Sequence, residues 1–460
     1  TILAATGSAN PGDTIIVYPG IYPTPSQILK DHVNYYFYPG AIVSGSNSNA
    51  LMGGVAMQFE KINVRGEGSF IGGAVFGTHG GVIDLHVVSQ SSHFEYDTIT
   101  STHQSSAYNF TMGIESSITT EIEFYVKGNL VQHSGSGGGG LNEVVRLSGG
   151  KNRLETAVRA PLANAGTVGI RQYGASGDHY VDADVYMVNG TALYSNQRNI
   201  DGFFKGRYEV LSSEQPSYYA VYFGDGYNGF HTIDAEVRGG YYLATGGVTQ
   251  GGGHIRGNQI CHNSPGSAAV VVNGGGNYQL DQYIFSYTGV FSITSDALIK
   301  FNGTSRLGAE NKLFNITAGK LIYAGSDIDG NNRAVSSTIS GGHLHIDAPL
   351  EMDGGNYPSD RFAFILSGGT LEISNKVTYH HQTTGSGLID MTGGYLILDG
   401  AKLVQDNGTG SFAHAIDLNS GAHSGSIFSN SFTNLRPFGP GSFTNEIVGG
   451  GTLFESHKLY

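Results

Sequence analysis

Gly341-Gly342-His343-Leu344-His345-Ile346 is a glycine turn followed by an alternating run, and it recurs. Ala318-Gly319-Lys320-Leu321-Ile322-Tyr323 precedes it. Gly368-Gly369-Thr370-Leu371-Glu372-Ile373 and Gly393-Gly394-Tyr395-Leu396-Ile397-Leu398 follow. The leucines at 321, 344, 371 and 396 are separated by steps of 23, 27 and 25 residues. Gly450-Gly451-Thr452-Leu453 is a further copy, about two steps on. Alternation over four to six residues is the pattern of a strand with one buried face.

A second phrase runs through the middle of the chain: an apolar residue, an acid, then alternation. It reads Ile122-Glu123-Phe124, Leu154-Glu155-Thr156-Ala157-Val158 and Val181-Asp182-Ala183-Asp184-Val185. It continues as Tyr208-Glu209-Val210, Ile233-Asp234-Ala235-Glu236-Val237 and Leu280-Asp281, with Ile255-Arg256 filling the gap between the last two. Steps of 22 to 32 residues leave no room for regular helices. They suit one coil of a β-solenoid, with about three short strands and three turns stacked in parallel on the next coil. A β-propeller blade repeats at about 40–45 residues and fits less well. The expectation is all-β: a right-handed, single-stranded parallel β-helix. Residues 1–45 form the capping region and first coils, and 46–460 form one continuous helix.

Composition agrees. The 71 glycines in 460 residues are about twice the usual share, which suits a chain that bends often. An apolar fraction of 39% is too high for a disordered chain. The longest apolar run, Tyr218 to Phe223, is far too short for a membrane-spanning helix. With 24 Lys+Arg against 37 Asp+Glu, the net charge of −13 disfavours nucleic acid and anionic membranes. The lone Cys261 can form no internal disulfide. With Thr1 rather than Met in first place, a processed or partial chain is expected.

The opening adds a resemblance. Pro11-Gly12-Asp13-Thr14-Ile15-Ile16-Val17-Tyr18-Pro19-Gly20-Ile21-Tyr22 is followed by Leu29-Lys30-Asp31-His32-Val33-Asn34-Tyr35-Tyr36-Phe37-Tyr38-Pro39-Gly40-Ala41. Over about 30 residues this resembles the first coils of the pectin-lyase-like superfamily of right-handed parallel β-helices. That resemblance implies a fold shared by polysaccharide lyases, hydrolases and esterases, and by phage tailspikes and surface adhesins. The enzymes' motifs are incomplete here. Thr78-His79-Gly80-Gly81 and Gly253-His254-Ile255-Arg256 are fragments of the polygalacturonase set, but no Asp-Asp pair occurs. Arg159-Ala160-Pro161-Leu162 keeps the first half of the pectate-lyase arginine motif, but Asn164 stands where the second Arg belongs. No pectin-methylesterase set of acids, Arg and paired Gln is found.

The candidate chemistry is an acidic ladder. Stacking the second phrase places Glu123, Glu155, Asp182, Glu209 and Asp234 in one outward row about 4.8 Å apart, with Asp184 and Glu236 on the same face. Arg153 and Arg207, two residues before Glu155 and Glu209, can balance part of that charge. Three readings follow: a solvated ion ladder, a Ca²⁺ site, or a carboxylate pair for glycoside cleavage. In the last, Glu155, Asp182, Asp184, Glu209, Asp234 and Glu236 are the candidate catalytic residues. For sugar stacking the candidates are Tyr218, Tyr219, Tyr222, Tyr227, Tyr241 and Tyr242. His343 and His345 share a strand face and read as solvent-facing, since no zinc-ligand spacing is present.

The expected function is an extracellular, cell-surface or virion β-helix of the tailspike or adhesin type. Its partner is a cell-surface polysaccharide, and it self-associates as a homotrimer or filament. The alternatives are a secreted polysaccharide lyase or glycoside hydrolase acting on an acidic polysaccharide, and a purely structural filament subunit.

Overall fold

The computed structural model describes residues 1–24, 28–45, 50–72, 81–102, 109–117, 121–135, 142–163, 166–173, 177–195, 200–211, 219–223, 230–239, 241–245 and 252–261, and the strand-bearing segments between 270 and 455. The chain divides into two compact units, Thr1–Gly240 and Tyr241–Tyr460. Both are parallel β-solenoids.

The first unit starts with its only described helix, Ile2–Ser8, whose Thr1 side chain caps the Ala4 amide at 3.2 Å. Ile2 and Thr6 face inward, and the Thr6 hydroxyl donates to Ile28 O at 2.8 Å. Gly20–Pro23, Ala41–Ser44 and Ser69–Ile71 stack in parallel onto the second half of Ser92–Ser101, and the remaining strands form two parallel ladders. One runs Thr14–Val17, Asn34–Phe37, Asn63–Gly66, Ser92–Ser101, Glu123–His133, Lys151–Ala160, Gly177–Met187, Ile200–Val210 and Phe230–Gly239. The other runs Met52–Phe59, Ile83–Val87, Asn109–Ser116, Asn142–Ser148, Thr167–Tyr173, Thr191–Ser195 and Tyr219–Phe223. Alternate residues point inward and stack: Phe94, Val126, Leu154, Val181, Phe204 and Ile233 form one buried column. Each such side chain contributes about 1.5–3 kcal/mol by leaving water.

The second unit repeats the plan. Leu321 pairs with Leu344, Leu344 with Leu371, and Leu371 with Leu396, all fully buried. Ile427 intervenes before Leu453, so the last copy does lie two rungs on. The glycines mark the corner. Gly342 has φ +64°, and a Cβ there would lie 2.5 Å from the Ala318 carbonyl carbon of the preceding coil. Only a residue without a side chain fits that close approach.

The register corrects one expectation. Leu154 does pair with Val181, but Val181 pairs with Phe204 rather than Tyr208, and Leu154 pairs back to Val126 rather than Ile122. Both slips are four residues. An alternating strand reads the same every two residues, so a slip of four preserves the buried face and changes every partner.

Candidate functional site

That slip redraws the acidic ladder. The outward row is Glu95, Lys127, Glu155, Asp182, Lys205, Asp234, one residue from each successive strand. Lysines therefore interrupt the acids, and Glu155 and Asp182 are its only carboxylates on adjacent rungs. Glu123 belongs to a different row, Glu123–Lys151–Asp178. Glu209 belongs to another, Tyr186–Glu209–Arg238. Asp184 and Glu236 flank Arg207. The single row of five acids does not exist.

The interrupting cations are engaged. Glu155 accepts from the Tyr125 hydroxyl at 2.9 Å and from Arg153 at 3.2 Å, with Lys127 at 3.7 Å. Burial, and then the Glu155 carboxylate, push the Tyr125 hydroxyl above its ordinary pKa. Arg207 holds Glu209 at 2.6 Å, and Arg238 holds Glu236. Arg65 reaches Glu95 at 3.2 Å. Burial raises the Glu95 pKa, but the Gly66 amide, His93 and Arg65 outweigh it and keep it below the usual value. Such pairs are each worth only about 0.2–1 kcal/mol at a surface, though here they form a network.

Two residues towards the start of the same strands lies a second outward row: Asn63, His93, Tyr125, Arg153, Tyr180, Phe203, Thr232. The His93 and Tyr125 rings are 4.8 Å apart, Arg153 lies between Tyr125 and Tyr180, and Tyr180 stacks on Phe203 at 5.3 Å. Beside this row a shallow cleft of about 460 Å³ opens, lined by Glu123, Lys151, Arg153, Asp178, Tyr180 and Phe203, among others. A smaller cleft lined by Ser91, Ser92, Glu123, Tyr125 and Arg153 shares two of these residues and lengthens the groove.

Three buried residues also line the larger cleft. Asn152, His179 and Gly202 occupy one stacked inward position, and Gly202 contributes no side chain. The His179 Nε2–H donates to Gly149 O at 3.1 Å, and Gln172 donates to Nδ1 at 3.1 Å. Asn152 donates to Ser148 O and Gly149 O at 3.0 Å. Burial pushes the His179 pKa down to about 4, so the floor is uncharged at neutral pH.

The tyrosine candidates fall elsewhere. Tyr219 and Tyr222 sit on the other ladder, where Tyr222 stacks on Tyr194 at 5.1 Å and 14° and contacts Tyr219 at 4.7 Å. Arg171 lies over Tyr194 and Tyr173. Beneath them Glu143, fully buried, accepts from both Arg146 and Arg171. Tyr194 and Tyr222 turn a ring face on each other, which removes those faces from sugar stacking. Tyr218 and Tyr227 lie outside the described residues, as do the side chains of Tyr241 and Tyr242.

Among the described residues, one group brings three ligand-type atoms within 4.8 Å of one another: Asp31, His32 and Glu60. Asp31 already accepts from the His32, Glu60 and Lys61 amides, and His32 meets Glu60 at 2.7 Å. These contacts staple one coil to the next. His343 and His345, both half-buried, reach Glu372 at 2.8 and 3.6 Å.

Tyr125, Tyr180 and Phe203 were not singled out from the sequence. The available signal was their parity: each lies an even number of residues from an outward acid or lysine of its own strand. No protein-family model, curated protein or solved structure matches the chain. Fold and site thus define a parallel β-solenoid with a groove of charged and aromatic side chains on one outer face.

Proposed function

We propose that this protein is an extracellular or virion-surface β-solenoid of the pectin-lyase-like, tailspike or adhesin type. In this reading it holds a cell-surface polysaccharide along the groove between Ser91 and Thr232. The supporting observation is the groove itself: a cleft lined by charged side chains and aromatic rings and crossing consecutive rungs. Rungs about 4.8 Å apart repeat at a length comparable to one pyranose unit of an extended chain. A linear polymer can therefore meet similar side chains at each step.

The engagement of the candidate acids favours binding over cleavage. A general acid needs a carboxyl group kept protonated near neutral pH, usually by burial away from cations. Glu155, Glu209 and Glu236 each carry an arginine partner instead. Glycan-array binding by the wild type, lost on Tyr180→Ala with Phe203→Ala, tests the reading. An array signal unchanged in that variant contradicts it. Self-association into a trimer or filament belongs to the same proposal. Light scattering that finds a monomer at micromolar concentration removes that part.

A further inference from the structure

The groove differs in how its cations and its acids are satisfied. Arg153 is bonded to Glu155 and held between two rings. Lys151 pairs with Glu121 at 3.3 Å. The Lys205 ammonium lies 5.3 Å from the centre of the Phe203 ring and 5.9 Å from that of Tyr180. Every cation at the groove thus has a partner inside the fold.

Its two lining carboxylates do not. Glu123 and Asp178 are exposed, and among the described residues neither side chain has a hydrogen-bond or ion-pair partner. They stand on either side of Lys151 in register, two rungs apart, or about 10 Å. The groove sets Glu121, Glu123, Glu155 and Asp178 against Lys127, Lys151, Arg153 and Lys205, and its two unpaired charges are both acidic. Among the described residues, a polyanion finds no unpaired cation there. A ligand bringing ammonium groups meets two open acceptors and gains charge-assisted hydrogen bonds.

We infer that the groove selects glycans with free amino groups over N-acetylated or uronic-acid polymers. Glu123 and Asp178 would each take one sugar ammonium. Their two-rung separation is close to the disaccharide repeat of an extended β-linked chain, so alternate sugars present their amines to the same side. This inference rests on the glycan-binding reading above and names the glycan class.

The test is calorimetry with hexamers of glucosamine, N-acetylglucosamine and galacturonic acid, in mildly acidic low-salt buffer where sugar amines are charged. The glucosamine hexamer is expected to bind about fivefold more tightly than the N-acetylated one, as two exposed charge contacts would give. The margin should shrink with added salt. Glu123→Gln with Asp178→Asn should abolish the margin, so that the glucosamine and N-acetylglucosamine hexamers bind that variant equally. Equal or tighter binding of either other hexamer overturns the inference but leaves glycan binding standing. So does a margin that survives in the double variant. Failure of all three hexamers to bind removes the glycan reading itself, and this inference with it.

Discussion

The Arg153 guanidinium lies between the rings of Tyr125 and Tyr180, 5.3 and 5.0 Å from their centres, on three consecutive rungs. Cation–π contacts at partly exposed sites are worth about 0.5–1 kcal/mol each. Arg153→Ala should therefore lower unfolding free energy by about 1–2 kcal/mol. A double-mutant cycle with Tyr180→Ala should return a coupling energy of the same sign. Denaturant unfolding that shows simple additivity would show the row to be mere proximity.

Acid should weaken the first unit through its interior histidines. Burial lowers both His179 and His133 from 6.5 to about 4. Their folded pKa lies below the unfolded one, so the unfolded chain binds more protons between those values. The stabilising effect is complete above about pH 6.5 and is lost as pH falls towards 4. Each histidine contributes on the order of 3 kcal/mol across that window. His86 has the opposite sign. Burial lowers its pKa, but Asp84 and Glu115 outweigh it and leave it raised. Its contribution is full below the ordinary histidine value and fades as pH rises through the folded one. Stability measured against pH in the wild type and His179→Gln should differ in slope below about pH 6.5. Parallel curves would contradict the burial of a neutral His179.

Gly342→Ala should destabilise the second unit by about 1–3 kcal/mol. The added Cβ meets backbone of the preceding coil at 2.5 Å, and φ is +64°. A change within error in the denaturation midpoint would mean that the corner can relax.

No cleavage is expected on neutral, amino or acidic polysaccharides, whether followed by new reducing ends or by unsaturated product. Asp182 and Asp234 are separated by the Lys205 rung, and Glu155 is held by two donors, Tyr125 and Arg153, with the Lys127 ammonium at 3.7 Å. Cleavage abolished by Asp182→Asn or Asp234→Asn would establish the enzyme alternative.

Much of the fold was legible because solenoid physics is repetitive. The glycine-leucine phrase gave the right rung partners from Leu321 to Leu396, since each leucine follows its corner glycine at a constant offset. The longer upstream strands have no such anchor. There the motif of an apolar residue followed by an acid matched by composition. Phe204-Lys205 was passed over for Tyr208-Glu209, though it holds the equivalent position. The face was right and the neighbours were wrong. The groove was not legible because its lining is drawn from several rungs at once, from Glu123 to Thr232. No single strand's pattern reveals that coincidence.

Polysaccharide is proposed to lie along the groove between Ser91 and Thr232. A crystal structure with bound glucosamine hexamer tests it most directly. Sugar is expected beside Tyr180 and Phe203, with amines on Glu123 and Asp178. Sugar lying instead along the Tyr194–Tyr222 row, with the groove bare, would contradict it.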